Sequence, residues 1–295
     1  MKRILACLLI GLVSPPTLAL PQEAHVPGGI AIVEVPANTP DTLEAEFGGK
    51  PVYIERAGNG NRHLVIGIPL AQMPGEATIT LTDTATHSAL PSLAFAVIGK
   101  AYPEQHITLP ADDKHVHPGP DELARFEREA KEQQTIYRRF DGSPAPWPAF
   151  RLPTSGTANP SFGRKRFFNG EERQAHLGMD IEAPEGQIVV APADGVVVQT
   201  GDYFFNGRTV MIDHGQGLVS MLCHLSRIDV KAGDVVKAGD HIGRVGHTGR
   251  ATGPHLHWTV SLNDARIDPL FVLPADGVPR DEPSRRAKTA TNTRP

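Results

Sequence analysis

The sequence predicts a mainly β protein: an N-terminal immunoglobulin-like β-sandwich, a helical linker and a C-terminal antiparallel β half-barrel. Three observations carry this. Between Ile30 and Leu109 lie short β-rich runs, IAIVEV, TLEAEF, PVYIER, HLVIGI, ATITLT, LAFAVI and QHITLP, separated by Gly, Pro, Asn and Asp clusters. Regular short strands with turn residues between them and no helical period read as a sandwich. One segment alone, DELARFEREAKEQQTIYRRF, has helical character. Finally, PEGQIVVAPADGVVVQTGD and VKAGDVVKAGDHIGRVG echo each other, as expected where a sheet folds back on itself.

The chain has 295 residues, enough for two domains that each bury a core. It opens with Lys2 and Arg3, the apolar run ILACLLIGLV and the small-residue step Thr17-Leu18-Ala19. That order is that of a secretory signal peptide, residues 1–19, with a run too short to span a bilayer. Cleavage is expected after Ala19, with no stable membrane span afterwards. Cys7 precedes most of the apolar run, which argues against a lipoprotein. Cys223 is then the only cysteine left, so internal disulfides are excluded and stability rests on packed cores. A net charge of −4 gives no basic field for a nucleic acid partner.

The sandwich is placed at residues 24–110 and shows no chemical constellation. A helical and Pro-rich linker, 111–150, follows. Its helix begins near Pro120 with acids in the first turn, and Arg138 and Arg139 are expected in the last. Leu123, Phe126, Ala130, Ile136, Tyr137 and Phe140 form a partial apolar stripe that should pack on a neighbouring domain. His115-Val116-His117, near Asp112 and Asp113, reads as solvated linker. The second β domain is placed at 151–274, and the Pro- and charge-rich tail, 275–295, reads as disordered.

The second domain carries the chemistry. In TGPHLHWTV, His255, His257 and Thr259 share one face of a strand, while Leu256, Trp258 and Val260 share the other. One face is core, the other a site. HLGMD holds His176 and Asp180, and MLCHL holds His224 beside Cys223. Alternation turns Cys223 away from its neighbour, as a buried small residue. Helical spacing would put His176 and Asp180 on one face, but Gly178 and the following IEAP favour a loop entering a strand. Zinc accepts imidazole nitrogen and carboxylate oxygen, and a catalytic site uses three protein ligands. This inventory supplies those types with residues to spare, and either histidine of the HxH pair lies within reach by spacing alone.

HLGMD, MLCHL and GPHLHW, with APADGVVV and KAGDVVKAGDHIG between them, resemble the lysostaphin-type (LytM-like) zinc metallopeptidases that cut peptidoglycan peptides. The resemblance covers roughly Phe150 to Pro274. Periplasmic members of that family also carry a β-sandwich and a helical connector. It implies a duplicated hybrid-motif half-barrel and one Zn²⁺ per chain held by His176, Asp180 and His257. It further implies His224 and His255 as uncoordinated catalytic histidines, and leaves open which is the general base. No HExxH occurs, so a histidine must replace the glutamate base of that metalloprotease type. The implied substrate is peptidoglycan stem peptides, cut in the periplasm of a Gram-negative bacterium at D-alanyl to diaminopimelyl cross-links. A protein activator, and whether the sandwich inhibits or positions, are left open.

Two hairpin tips, RFFNGEER and DYFFNGR, are expected to wall a peptide groove, with Asn169, Tyr203 and Asn206 as candidate substrate contacts. His214 is expected to close a hairpin by hydrogen bonding, and His241 and His247 to flank glycine turns. Two other readings compete. A non-catalytic envelope regulator on the same fold requires missing ligands, and none is missing. A lipoyl-type carrier requires a modifiable lysine, and Lys237 in VVKAGD sits in an ordinary turn.

Overall fold

A computed structural model describes residues 20–57, 59–108 and 118–275. The signal peptide, the His115/His117 pair and nearly all of the tail lie outside them. Among the described residues no helix is long and apolar enough to cross a membrane.

In chain order the first strands are β1 (Ile30–Glu34), β2 (Leu43–Phe47), β3 (Lys50–Pro51), β4 (Tyr53–Arg56), β5 (Arg62–Gly67), β6 (Gly75–Asp83) and β7 (Ser88–Val97). They form two sheets, β1-β5-β4 and β3-β2-β6-β7. The β6 strand alternates as its sequence demands, with Ala77, Ile79 and Leu81 buried and Thr78 and Thr80 exposed. The β5 strand is instead buried on both faces. Leu64 and Ile66 point into the sandwich core, while Val65 joins the core of the second domain. Ile30 and Tyr53 do the same from β1 and β4. The three-stranded sheet is thus a layer shared by two cores.

The run QHITLP, expected among the sandwich strands, leaves the sandwich. It becomes β8 (Glu104–Ile107), which pairs in parallel with β10 (Lys165–Phe168) of the second domain. Between them lie α1 (Pro120–Tyr137) and β9 (Thr157–Asn159). Helix α1 has Pro120 in its first turn and acids Asp121 and Glu122 beside it. No basic residue lies in its last turn, because the helix stops with Arg138 as the C-cap and Arg139 beyond.

The remaining strands are β11 (Glu171–Arg173), β12 (Met179–Glu182), β13 (Ile188–Val190), β14 (Gly195–Tyr203), β15 (Gly207–Asp213), β16 (Leu218–Leu225), β17 (Arg227–Ile228), β18 (Val235–Val236), β19 (His241–Arg244), β20 (His255–Leu262) and β21 (Ala265–Ile267). The main antiparallel sheet runs β18-β14-β15-β16-β20-β12-β9, with β21 also on β20, and a small sheet β13-β19-β17 completes the half-barrel. The two echoing segments interlock: β13 pairs with β19, and β14 with β18. The two KAGD turns of the second segment are closed alike, Asp234 accepting from Lys231 N–H and Asp240 from Lys237 N–H, at 2.9 and 2.8 Å. Lys237 Nζ also meets Asp194 at 2.8 Å, the geometry of a turn lysine rather than a presented carrier lysine.

One face of the main sheet packs the core of Leu256, Trp258, Val260, Met179, Ile181 and Leu222. The fully buried Trp258 alone brings some 2–3 kcal/mol of burial. The other face, toward α1, carries Met211, Val219, Met221 and Cys223 under Ile136 and Tyr137.

Candidate metal centre

The centre lies on the α1 side of the main sheet, where β16, β20 and β12 run side by side. Alternation along β20 sends Leu256, Trp258 and Val260 to the core and His255, His257 and Thr259 to the opposite face. Asp180 is the direct antiparallel partner of His257, since Met179 and Ile181 on either side of it are fixed in the core. His176 precedes β12 in a loop tied to the neighbouring chain, its N–H donating to Arg164 O at 2.9 Å and its carbonyl accepting from Gly163 N–H at 2.7 Å.

His224 breaks the strand pattern. On β16 it follows Cys223, which is paired with His257 and buried under α1, so regular alternation would turn His224 into the core. Instead its φ is +62°, in the left-handed region that a non-glycine residue occupies at a cost. A register shift interrupts the β15–β16 ladder beside it, and its N–H donates to Asn206 O at 2.9 Å. The irregularity brings its ring to the site face, 4.8 Å from His255 and 5.9 Å from His257 between centroids.

Three donor atoms converge. His257 Nδ1 is 2.8 Å from Asp180 Oδ1 and 2.9 Å from His176 Nε2, and His176 Nε2 is 3.1 Å from the same oxygen. Ligand bonds of 2.0–2.2 Å to a tetrahedral cation put donors about 3.3–3.6 Å apart. The group therefore needs only slight expansion to hold one, and it is the group of metal-ligand types among the described residues. The opposite ring edges are anchored. His176 Nδ1–H donates to Ser161 O at 3.1 Å, which leaves Nε2 with its lone pair. His257 Nε2 meets Thr259 Oγ1 at 3.0 Å, and Asp180 N–H donates to Ser161 Oγ at 3.1 Å. Although burial opposes it, the close contacts with the His176 and His257 imidazoles hold the Asp180 carboxyl well below the usual carboxylate range. Burial pushes His176 down to about 4, so its imidazole is neutral at neutral pH, as a metal ligand must be.

His224 and His255 are aligned alike. Each donates Nδ1–H to a carbonyl at 2.8 Å, Thr248 O and Gly253 O respectively, and so leaves Nε2 as the acceptor. His255 Nε2 is 3.8 Å from Asp180 Oδ1. Burial and the neighbouring imidazoles His257 and His255 push His224 down to about 3.

A cavity of about 810 Å³ opens beside the triad. Its walls are helix α1 with Leu123, Phe126 and Ala130, the hairpin β14–β15 with Tyr203, Phe205 and Asn206, and Arg166 and Arg173 from β10–β11. Tyr203 and Asn206 thus line it, whereas Asn169 sits on the β10–β11 turn outside its lining residues. His214 closes its hairpin as expected, through Asp194 O and Ser220 Oγ, and His241 and His247 pair with Asp229 and Glu185 away from the triad. Sequence reading missed Ser161, Thr248 and Arg166. A serine or threonine that acts through its carbonyl has no signature in sequence, and Arg166 is one of several arginines in its segment.

A half-barrel bearing one carboxylate and two imidazoles at an open cleft has the donor set of a metallopeptidase. Within that class, the chain belongs to peptidase family M23. The profile of Peptidase family M23 matches residues 174–269, and that of the Peptidase family M23 N-terminal domain matches residues 23–100. A crystal structure described as a peptidase M23 from Pseudomonas aeruginosa is similar at TM-score 0.70 and 40% identity, over 85% of this chain and 96% of that one. The DD-carboxypeptidase/endopeptidase Mpg of Neisseria meningitidis is 42% identical over 97 residues, 33% of this chain and 22% of its own length. The peptidoglycan DD-endopeptidase ShyC of Vibrio cholerae is 43% identical over 99 residues, 34% of this chain and 23% of its own. The chain therefore spans less than a quarter of the length of these two curated relatives.

Proposed function

We propose that this chain is a zinc-dependent endopeptidase that hydrolyses peptide cross-links of peptidoglycan, exported to the periplasm of a Gram-negative bacterium. One observation carries the reading: His176 Nε2, Asp180 Oδ1 and His257 Nδ1 lie within 2.8–3.1 Å of one another, with two further imidazoles beside them. The relatives named as DD-endopeptidases support D-alanyl to diaminopimelyl bonds as the substrate class. The proposed division of the chain is a signal peptide at 1–19, a sandwich at 24–110 whose last strand, β8, crosses over to pair with β10, a linker at 111–150, a catalytic domain at 151–274 and a tail at 275–295.

His176, Asp180 and His257 would hold one zinc ion. When bound, it supplies Lewis acidity that activates water near neutral pH and polarises the scissile carbonyl. The chain's own groups do the rest. His224 and His255, with Nδ1–H fixed on backbone carbonyls, present Nε2 to take a proton from the attacking water. The imidazolium so formed stabilises the oxyanion or protonates the leaving amine. The cavity wall of α1 and the β14–β15 hairpin, with Tyr203 and Asn206, lies against the peptide, and Asn169 on the adjoining turn contacts it farther out.

The test separates the two groups of histidines. His176→Ala and Asp180→Ala are expected to lose stoichiometric zinc by emission spectroscopy. His224→Ala and His255→Ala are expected to keep it and to lose about 10²–10⁴-fold in release of peptides from purified sacculi. Metal loss in His255→Ala, or chelator-insensitive release by wild type, would contradict the assignment.

A further inference from the structure

Asp180 has two oxygens, and the structure treats them differently. Oδ1 faces the imidazoles, 2.8 Å from His257 Nδ1 and 3.1 Å from His176 Nε2. Oδ2 faces away from them and accepts from Arg166 Nη2 at 3.4 Å. Arg166 lies on the cavity wall with its side chain only 20% exposed, so the contact is shielded from bulk water. The placement of Arg166 is set from outside the catalytic sheet. It sits on β10, between β11 and β8, opposite Arg173 on one side and Gln105 on the other. The strand leaving the sandwich therefore fixes the height at which the guanidinium meets the carboxylate.

We propose that Arg166 is a positioning residue that confines Asp180 to ligation through one oxygen. The proposal rests on the reading of His176, Asp180 and His257 as the ligand set. A carboxylate free to rotate offers both oxygens to a cation, and a bidentate Asp180 would fill a coordination position that catalysis needs. With Oδ2 held by the guanidinium, rotation of the carboxylate costs a charge-assisted hydrogen bond. A fourth and, on demand, a fifth position then stay open for water and the substrate carbonyl. Arg166 touches no reacting atom in this scheme. Its effect passes through Asp180, as outer partners of metal ligands act generally.

The test uses the full chain loaded with Co²⁺, whose visible absorption is strong in four-coordinate sites and weak in higher coordination. Wild type is expected to bind one Co²⁺ with an intense band. Arg166→Met, which keeps the apolar stem, is expected to bind one Co²⁺ with most of that intensity lost. Arg166→Lys, which returns a cation but not the planar fork, is expected to regain part of it. A purely structural arginine would lower the melting temperature without moving the band. An Arg166→Met band equal to that of wild type overturns the proposal. So does a metal-loaded wild-type crystal structure with both Asp180 oxygens bound, a measurement that decides the matter even where Arg166→Met fails to fold. Failure of wild type to bind one Co²⁺ strikes instead at the ligand set, and the proposal falls with it.

Discussion

Gly178 stands between the first two donors of the triad, and a Cβ there would lie 2.6 Å from both His257 Nε2 and Trp258 O. The space, not the backbone angle, demands glycine. Gly178→Ala is expected to push His257 off its place, lowering zinc affinity by about tenfold or more and stability by about 1–3 kcal/mol. Equilibrium dialysis and denaturant unfolding check the two effects. His214 gives a prediction on pH. Its Nδ1–H donates to Asp194 O at 2.7 Å, so Nε2 must accept from Ser220 Oγ–H at 2.9 Å. Burial pushes its pKa from 6.5 down to about 4. Above 6.5 both folded and unfolded forms are neutral and the residue costs nothing. Between 6.5 and 4 the unfolded chain takes up a proton that the folded chain refuses, so stability falls as pH is lowered, by at most about 3 kcal/mol. Wild type should therefore lose more melting temperature across that window than His214→Asn, and equal losses would count against it. Of the site residues, the shared face of the HLH pair was legible, because a two-residue period fixes which side chains lie together, whereas spacing left open which of the two stands among the donors. His224 was legible only as a histidine. Strict alternation would have buried it, and the left-handed φ that turns it outward depends on Asn206 from another hairpin.

Helix α1 shows how one apolar stripe serves two purposes. Its C-terminal end is buried, Ile136 and Tyr137 packing on Met211, Val219 and Met221. Tyr137 is further fixed by Arg266 stacked 3.6 Å from its ring centroid and by a contact of its hydroxyl with Met221 Sδ at 3.2 Å. The N-terminal half stands off the sheet: Phe126 is 39% exposed, meets Phe205 edge-on and lines the cavity. Polar contacts from the middle of the helix hold it there, Glu129 accepting from Phe204 N–H at 2.8 Å and Gln133 from Asn206 Nδ2 at 3.2 Å. Ile136→Ala should thus cost about 2–5 kcal/mol of stability, and Phe126→Ala little stability but a several-fold rise in KM. Calorimetry and steady-state kinetics on a muropeptide separate them, and the reverse pattern would refute this division of the helix. The helix itself was legible from its proline start, its acidic first turn and its stripe. Which half would be covered was not, because that depends on where the β14–β15 hairpin stands. The same holds for β8, whose strand character is plain in QHITLP but whose partner is set by a contact some sixty residues away.

At the scale of the molecule, the shared sheet decides how the parts move. Beyond Ile30, Tyr53 and Val65 in the second core, two amides imitate backbone pairing across the junction. Asn263 accepts from Gly67 N–H at 2.7 Å and donates to Gly67 O at 3.0 Å, and Gln216 does the same to Ile54 at 3.0 and 3.3 Å. All are buried, so breaking them exposes apolar surface and strands polar groups together. The intact chain is expected to unfold in a single calorimetric transition, and Asn263→Ala to lower its stability by about 1–3 kcal/mol. Two separate transitions would show the sandwich to be loosely tethered instead. The continuous apolar run HLVIGI hinted at a strand covered on both faces, yet what covered the second face was not readable. By itself the sequence determined the strands, the helix, the buried faces and the kinds of donor available, because side-chain chemistry and periods of two and 3.6 residues are local properties. The tertiary structure alone decided which donors converge, which strand Arg166 leans on and how the sandwich docks. Those are meetings of segments up to two hundred residues apart, fixed by register, one left-handed residue and the fit of two cores, none of which local pattern encodes.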